Sequence, residues 1–253
     1  MVIRVPARLA AAVTYVGSAA LAAWALHAAW VEPLFGGVLL VAAGMLAAHR
    51  WRVRRRIDRM LRSGDVRGVL ARWSTALGTM PHPGTMAPLM TATAFAAYGW
   101  TERARAAIDE AARGPAWDAA LEHRLFLEAM LSAFEGDLEL ASQQAERLQR
   151  LPVPAAGARL HERIRVLRGA VLALVRAFAH NAAPNDRRLL LQASQASPLV
   201  FWAMRYAAAI AAVDQGEIVE ARELILNAPS WSEESCFARF HREISDEIAR
   251  RVA

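Results

Sequence analysis

The sequence predicts an all-α protein with two apolar spans ahead of an array of helical hairpins. Three observations predict it. The chain opens with two long charge-free apolar runs. Beyond Arg62 no strand-like alternation persists, while apolar residues recur at three and four, the period of a helix face. A glycine-centred turn then returns at spacings of 35, 37 and 80 residues, the last being two periods of about 40.

The first run, Leu9 to Trp30, carries no charged residue and matches the roughly 20 residues that cross a bilayer as a helix. A cleaved signal peptide is the alternative, because Arg4 and Arg8 precede the run and small residues fill it. The second run, residues 34–49, is about sixteen residues long and follows at once, which favours a hairpin of two spans. Pro33 suits the first position of that second helix, where a missing N–H costs least. Ala10, Thr14, Ser18 and Ala22 on the first helix, and Gly37, Gly44 and Ala48 on the second, form small-residue stripes. These either pack closely or reflect plain alanine richness.

Next comes HRWRVRRRIDRMLR. Arg50, Arg52, Arg54, Arg55, Arg56, Arg59 and Arg62 against Asp58 give this stretch +6, the net charge of the whole chain. The body beyond it is close to neutral, so the basic character is local. A nucleic-acid patch would need this charge on a folded surface. Here it abuts a span, where arginines mark the cytoplasmic side and meet anionic headgroups. With Arg4 and Arg8 before the first span and only Glu32 between the two, both termini are expected in the cytoplasm, in an inner or plasma membrane. Val53, Ile57, Met60 and Leu61 form an apolar stripe, so the stretch also reads as the first helix of the first hairpin.

Aligned on the recurring glycine, the body reads GDVRGVLARW from Gly64, GWTERARAAI from Gly99, GDLELASQQA from Gly136 and GEIVEARELI from Gly216. Five residues on stand Val69, Ala104, Ala141 and Ala221, and twelve on stand Ala76, Ala111, Leu148 and Ala228. Pro81, Pro115, Pro152 and Pro229 follow, where a helix should stop. Between the third and fourth units, residues 155–180 read as one long helix, and NAAPND replaces the glycine turn. These units resemble tetratricopeptide repeats in the turn glycine, the small residues at fixed offsets and the closing proline. The usual first-helix aromatic is replaced by Val53, Pro88, Leu125 and Arg205. The family's glycine offset carries Ile57, Ala92, Ala129 and Ala209. The resemblance implies an α-solenoid.

The expected organisation is a membrane anchor over 1–49 with spans at about 9–30 and 34–49, a basic juxtamembrane helix over 50–62, repeats over 63–230 and a capping helix over 231–253. In that last segment Phe237, Phe240, Ile244 and Ile248 share a face, and Ser232 is the expected N-cap.

Seven histidines are present, but no HExxH or other paired metal spacing occurs, and His161-Glu162 lacks the second histidine. With no lysine in the chain, the phosphate-loop and Schiff-base classes are excluded. No GxSxG and no dinucleotide fingerprint is present. Glu122-His123 reads as a solvated or structural pair, and Cys236, the one cysteine, as a core residue. The sequence therefore points away from an enzyme, a cofactor, a metal and nucleic acid.

What the resemblance implies is a protein partner bound on a concave face built by the first helix of each pair. That face is expected to include Met86, Leu89, Thr93, His123, Met130, Tyr206 and Ile210. Being mostly apolar, it suits a hydrophobic partner helix if it is not filled by the chain itself. The other reading is a subunit or assembly factor of a membrane complex whose spans make the contact.

Overall fold

A computed structural model describes residues 33–153 and 157–252. The expected first span lies outside them. Among the described residues the chain is all-α, with eleven α-helices and no strand. It divides into two compact units, residues 1–57 and 58–253.

Helix α1, Pro33–Arg62, starts at Pro33 and runs through the whole basic stretch. In its charge-free part Val38, Leu40, Val41, Met45 and Leu46 are each more than three-fifths exposed. Among the described residues no helix is long and apolar enough to cross a membrane. The physical reason in α1 is length. Sixteen uncharged residues at about 1.5 Å each reach ~24 Å, short of a ~30 Å hydrocarbon core.

The second unit begins with the last turn of α1. There the Tyr98 hydroxyl donates to the Leu61 carbonyl at 2.7 Å, and Trp202 Nε1 donates to that of Arg62 at 2.9 Å. Four hairpins of known bounds follow. Helix α2 is Val66–Gly78; α3 and α4 are Pro83–Ala97 and Thr101–Ala111; α5 and α6 are Leu121–Glu135 and Leu138–Arg150. Helix α7, Ala158–Phe178, is the long one, and α8 is Asp186–Ala196. The last hairpin is α9, Phe201–Asp214, with α10, Ile218–Ile225, and α11 is Cys236–Val252. Short 3-10 turns, Asp118–Ala120 and Pro198–Val200, lead into α5 and α9. Helices α3, α5, α7, α9 and α11 pack each on the next, while α4, α6, α8 and α10 each pack on their own hairpin partner and on the helix that follows.

The four aligned glycines share one backbone state. Gly64, Gly99, Gly136 and Gly216 have φ of 80°, 73°, 88° and 78°, the left-handed region that suits a residue without Cβ. His180, φ 53°, takes that place where NAAPND replaces the glycine turn. Five residues after each glycine, Val69, Ala104, Ala141 and Ala221 are completely buried. Ala92, Ala129 and Ala209 are completely buried too, so small side chains give the close approach without glycine. The prolines act as stops: α2, α4, α6 and α10 all end two to four residues before them. The twelfth position is less regular. Ala111 and Leu148 are buried, whereas Ala76 is exposed near the end of α2.

The C-terminal segment packs back against the earlier turns. The Cys236 amide donates to the Gly99 carbonyl at 2.8 Å, and Ser235 Oγ donates to that of Tyr98 at 2.6 Å. Phe237, Phe240, Ile244 and Ile248 are buried along one face of α11. The helix starts later than expected. Ser235 Oγ, not Ser232 Oγ, accepts from a first-turn amide, that of Phe237 at 3.2 Å. Ser235 is held there because its proton is already committed to Tyr98. Ser232 Oγ accepts from the Glu234 amide in the turn before.

Candidate functional site

A cavity of about 600 Å³ lies in the second unit, lined from α3, α5, α6, α7 and both 3-10 turns. Its wall is largely apolar, including Met80, Met86, Phe126, Leu148, Leu167 and Leu199. The polar groups are few: Thr93, Glu122, His123, Arg168 and Ser197, with His82 at the loop before α3.

The proton positions follow from the hydrogen bonds. Thr93 Oγ1 lies 2.8 Å from the Leu89 carbonyl one turn back, the usual way a helical threonine satisfies its hydroxyl. A carbonyl oxygen has no proton to give, so the threonine proton points to it. Thr93 Oγ1 also lies 2.6 Å from His123 Nε2, and that contact needs its proton on the nitrogen. Burial pulls the His123 pKa below its ordinary 6.5, with the Glu122 charge opposing. The imidazole is thus neutral, protonated on Nε2, and Nδ1 carries a bare lone pair. Among the described residues Nδ1 has no hydrogen-bond partner.

Beside it, Arg168 ties two elements together. Its side chain is 5% exposed. Nε and Nη2 both donate to Glu122 Oε1, at 2.9 and 2.8 Å. Nη1 donates to the Leu151 carbonyl at 2.6 Å and Nη2 to that of Pro152 at 3.3 Å. A buried charge is tolerated when so completely partnered, and here it satisfies carbonyls left over at the end of α6. Arg205 does the same for α10, donating to Leu224 and Glu223 carbonyls at 2.6 and 2.7 Å. The neighbouring Arg62 charge and, more strongly, burial lower the Arg205 pKa.

The seven residues expected on one concave face separate into three places. Met86, Thr93 and His123 line this cavity. Ile210 lines a different one, of about 680 Å³, beside Phe134, Phe240 and Ile244. Leu89, Met130 and Tyr206 lie in the core, at most 1% exposed. Tyr206 is buried among rings: its hydroxyl accepts from Trp231 Nε1 at 2.6 Å and meets His241 Nδ1 at 3.1 Å. Burial raises its phenol pKa well above the usual range. The face is therefore not continuous, because neighbouring helices cover its middle.

The seven arginines of α1 are all exposed. Arg55 stacks over Trp51 at 3.9 Å, and Arg62 over Phe201 at 4.2 Å, contacts that favour a cation on a ring face. Cys236 is partly buried, with its thiol pushed up to about 12, chiefly by desolvation. That makes it a poor nucleophile. No group of three metal-ligating side chains is found among the described residues.

Sequence reading missed Arg168 as a site residue. Its signal was a single arginine inside the apolar run of α7, VLRGAVLALV, since a lone charge on a buried face needs a partner. No family model, curated protein or solved structure matches this chain.

Proposed function

We propose that the chain is a membrane-anchored scaffold whose tetratricopeptide-like repeats form a solenoid on the cytoplasmic side and bind or organise a protein partner there. The observation that carries the reading is α1. Five large apolar side chains stand exposed in its charge-free part, and seven arginines follow at once. Leaving such a surface in water costs on the order of 5 kcal/mol or more, and a bilayer removes that cost. The 34–49 run is short for a span, but Trp51 can anchor it and the arginine stems can reach the headgroups. The left-handed glycine turns, buried alanines at a fixed offset and proline stops support the repeat reading. The arginine placement supports cytoplasmic termini.

Proximity labelling from the C-terminus in the native host tests it, comparing the full chain with one whose residues 1–49 are replaced by an unrelated anchor. The same labelled proteins in both are the expected result. Loss of the labelled set on replacing the anchor would mean that the spans, not the repeats, make the contact.

A further inference from the structure

We infer that the cavity between α3, α5 and α7 is a binding site for a small lipophilic molecule bearing a hydroxyl group. The inference does not depend on the membrane reading. It rests on the size of the space and on the sign of its polar groups.

The cavity, about 600 Å³, lies within the ~300–1,000 Å³ of small-molecule sites. Its wall comes from four helices and two 3-10 turns placed around a common space, which suits a compact body more than an extended helix lying along a groove. Apolar side chains supply most of that wall, so the body of the ligand is hydrocarbon or aromatic. Met80 and Met86 add adaptable thioethers.

The head group follows from what the polar atoms can still do. His123 Nε2–H is committed to Thr93, and Thr93 Oγ1–H to Leu89. That leaves His123 Nδ1 as an acceptor. Glu122 takes both Arg168 bonds on Oε1, so Oε2 is a second acceptor. Arg168 gives four of its five N–H groups to Glu122 and to two carbonyls, and Glu122 balances its charge. Of the other polar side chains on the wall, Ser197 can give or accept a hydrogen bond and His82 stands in the loop before α3, so the groups around His123 and Glu122 favour a donor in the ligand. A carboxylate or phosphate head would face acceptors after losing its water, which is costly. An ammonium head would also be desolvated, against a carboxylate whose charge Arg168 already balances. A neutral O–H matches the vacant lone pair and avoids both costs.

Equilibrium dialysis of the full chain in lipid nanodiscs at pH 7.5 tests this, with empty nanodiscs subtracted. The probes are 1-naphthol, naphthalene and 1-naphthoate, which share one ring system and differ in the head. The expected result is one 1-naphthol site per chain, about three- to tenfold tighter than naphthalene, the span of one net neutral hydrogen bond. Naphthoate should bind more weakly than naphthalene. In His123→Phe, which keeps a ring and removes the lone pair while leaving Glu122 Oε2, the preference for naphthol over naphthalene should narrow. Thr93→Val, which releases the Nε2 proton and the fixed tautomer, should narrow the same gap. The wild-type series decides even where a variant does not fold. Naphthoate binding most tightly, naphthol no tighter than naphthalene, an unchanged preference in folded His123→Phe, or no saturable binding, as for a space that takes a partner's side chains, would each overturn the inference.

Discussion

Replacing Gly99 by alanine should destabilise the protein more than the same change at Gly136, although the two glycines hold the same position in their hairpins. Both have positive φ, 73° and 88°, so each alanine bears a left-handed penalty of about 1–2 kcal/mol. Part of it is returned by the stiffer unfolded chain, about 0.4–1 kcal/mol. A Cβ at Gly136 meets nothing within 4 Å, so the net cost there should stay at about 1 kcal/mol. A Cβ at Gly99 would lie 2.8 Å from Ser235 Oγ, 2.9 Å from Cys236 Sγ and 2.9 Å from Phe237 Cδ1. None of the three is free to retreat. Ser235 is bonded to Tyr98, the Cys236 amide to Gly99 itself, and Phe237 is fully buried against the rings of Phe134, Tyr206 and Trp231. Overpacking of that kind adds about 1–3 kcal/mol. Urea unfolding of full-length variants, followed by helical circular dichroism, reads the difference directly from the midpoints. Equal losses at the two sites would refute the packing of the C-terminal segment on the second hairpin turn.

Four other outcomes follow from the same geometry. Removing the Glu122 carboxylate by Glu122→Ala should cost about 2 kcal/mol, since it leaves the buried Arg168 charge with carbonyl partners only, and denaturant titration measures it. Tyr98→Phe strips the Leu61 carbonyl of its donor and should lower stability by about 1 kcal/mol. It is measured the same way, and a neutral result would mean the carbonyl finds another donor. Because burial holds His123 below 6.5 in the fold, the unfolded chain binds more protons as pH falls through that range. Stability should therefore drop between pH 7 and 5.5, and His123→Gln should flatten that part of the profile. The Cys236 thiol, pushed up to about 12, should resist iodoacetamide at pH 8 in the native chain and react promptly in urea, as mass spectrometry would show.

How much of this was legible in the sequence depends on whether a feature is local. The hairpin turns were, because a left-handed residue, a small buried residue five positions on and a proline stop are all short-range demands. Gly64, Gly99, Gly136 and Gly216 met them, and the long helix α7 was legible as the place where they fail. The apolar face of α11 was legible for the same reason. The cap of α11 was not, since Ser235 is fixed by Tyr98 from 137 residues away. The candidate face fared likewise. Met86, Thr93 and His123 do come together, but Leu89, Met130 and Tyr206 carry the same helical spacing and are covered by neighbours. Periodicity identifies an apolar face without saying what lies against it. Arg168 was hidden because its partners, Glu122 and the end of α6, are brought to it only by the packing of α5 on α7.

In the proposed reading, apolar residues ahead of the arginine cluster hold the chain in a membrane with its helical body inside the cell. Alkaline carbonate extraction of membranes from cells producing the full chain with a reporter after Ala253 measures both halves at once. The chain should stay in the membrane pellet, with the reporter active on the cytoplasmic side. Release into the supernatant, or a reporter active only outside the cytoplasm, would contradict it.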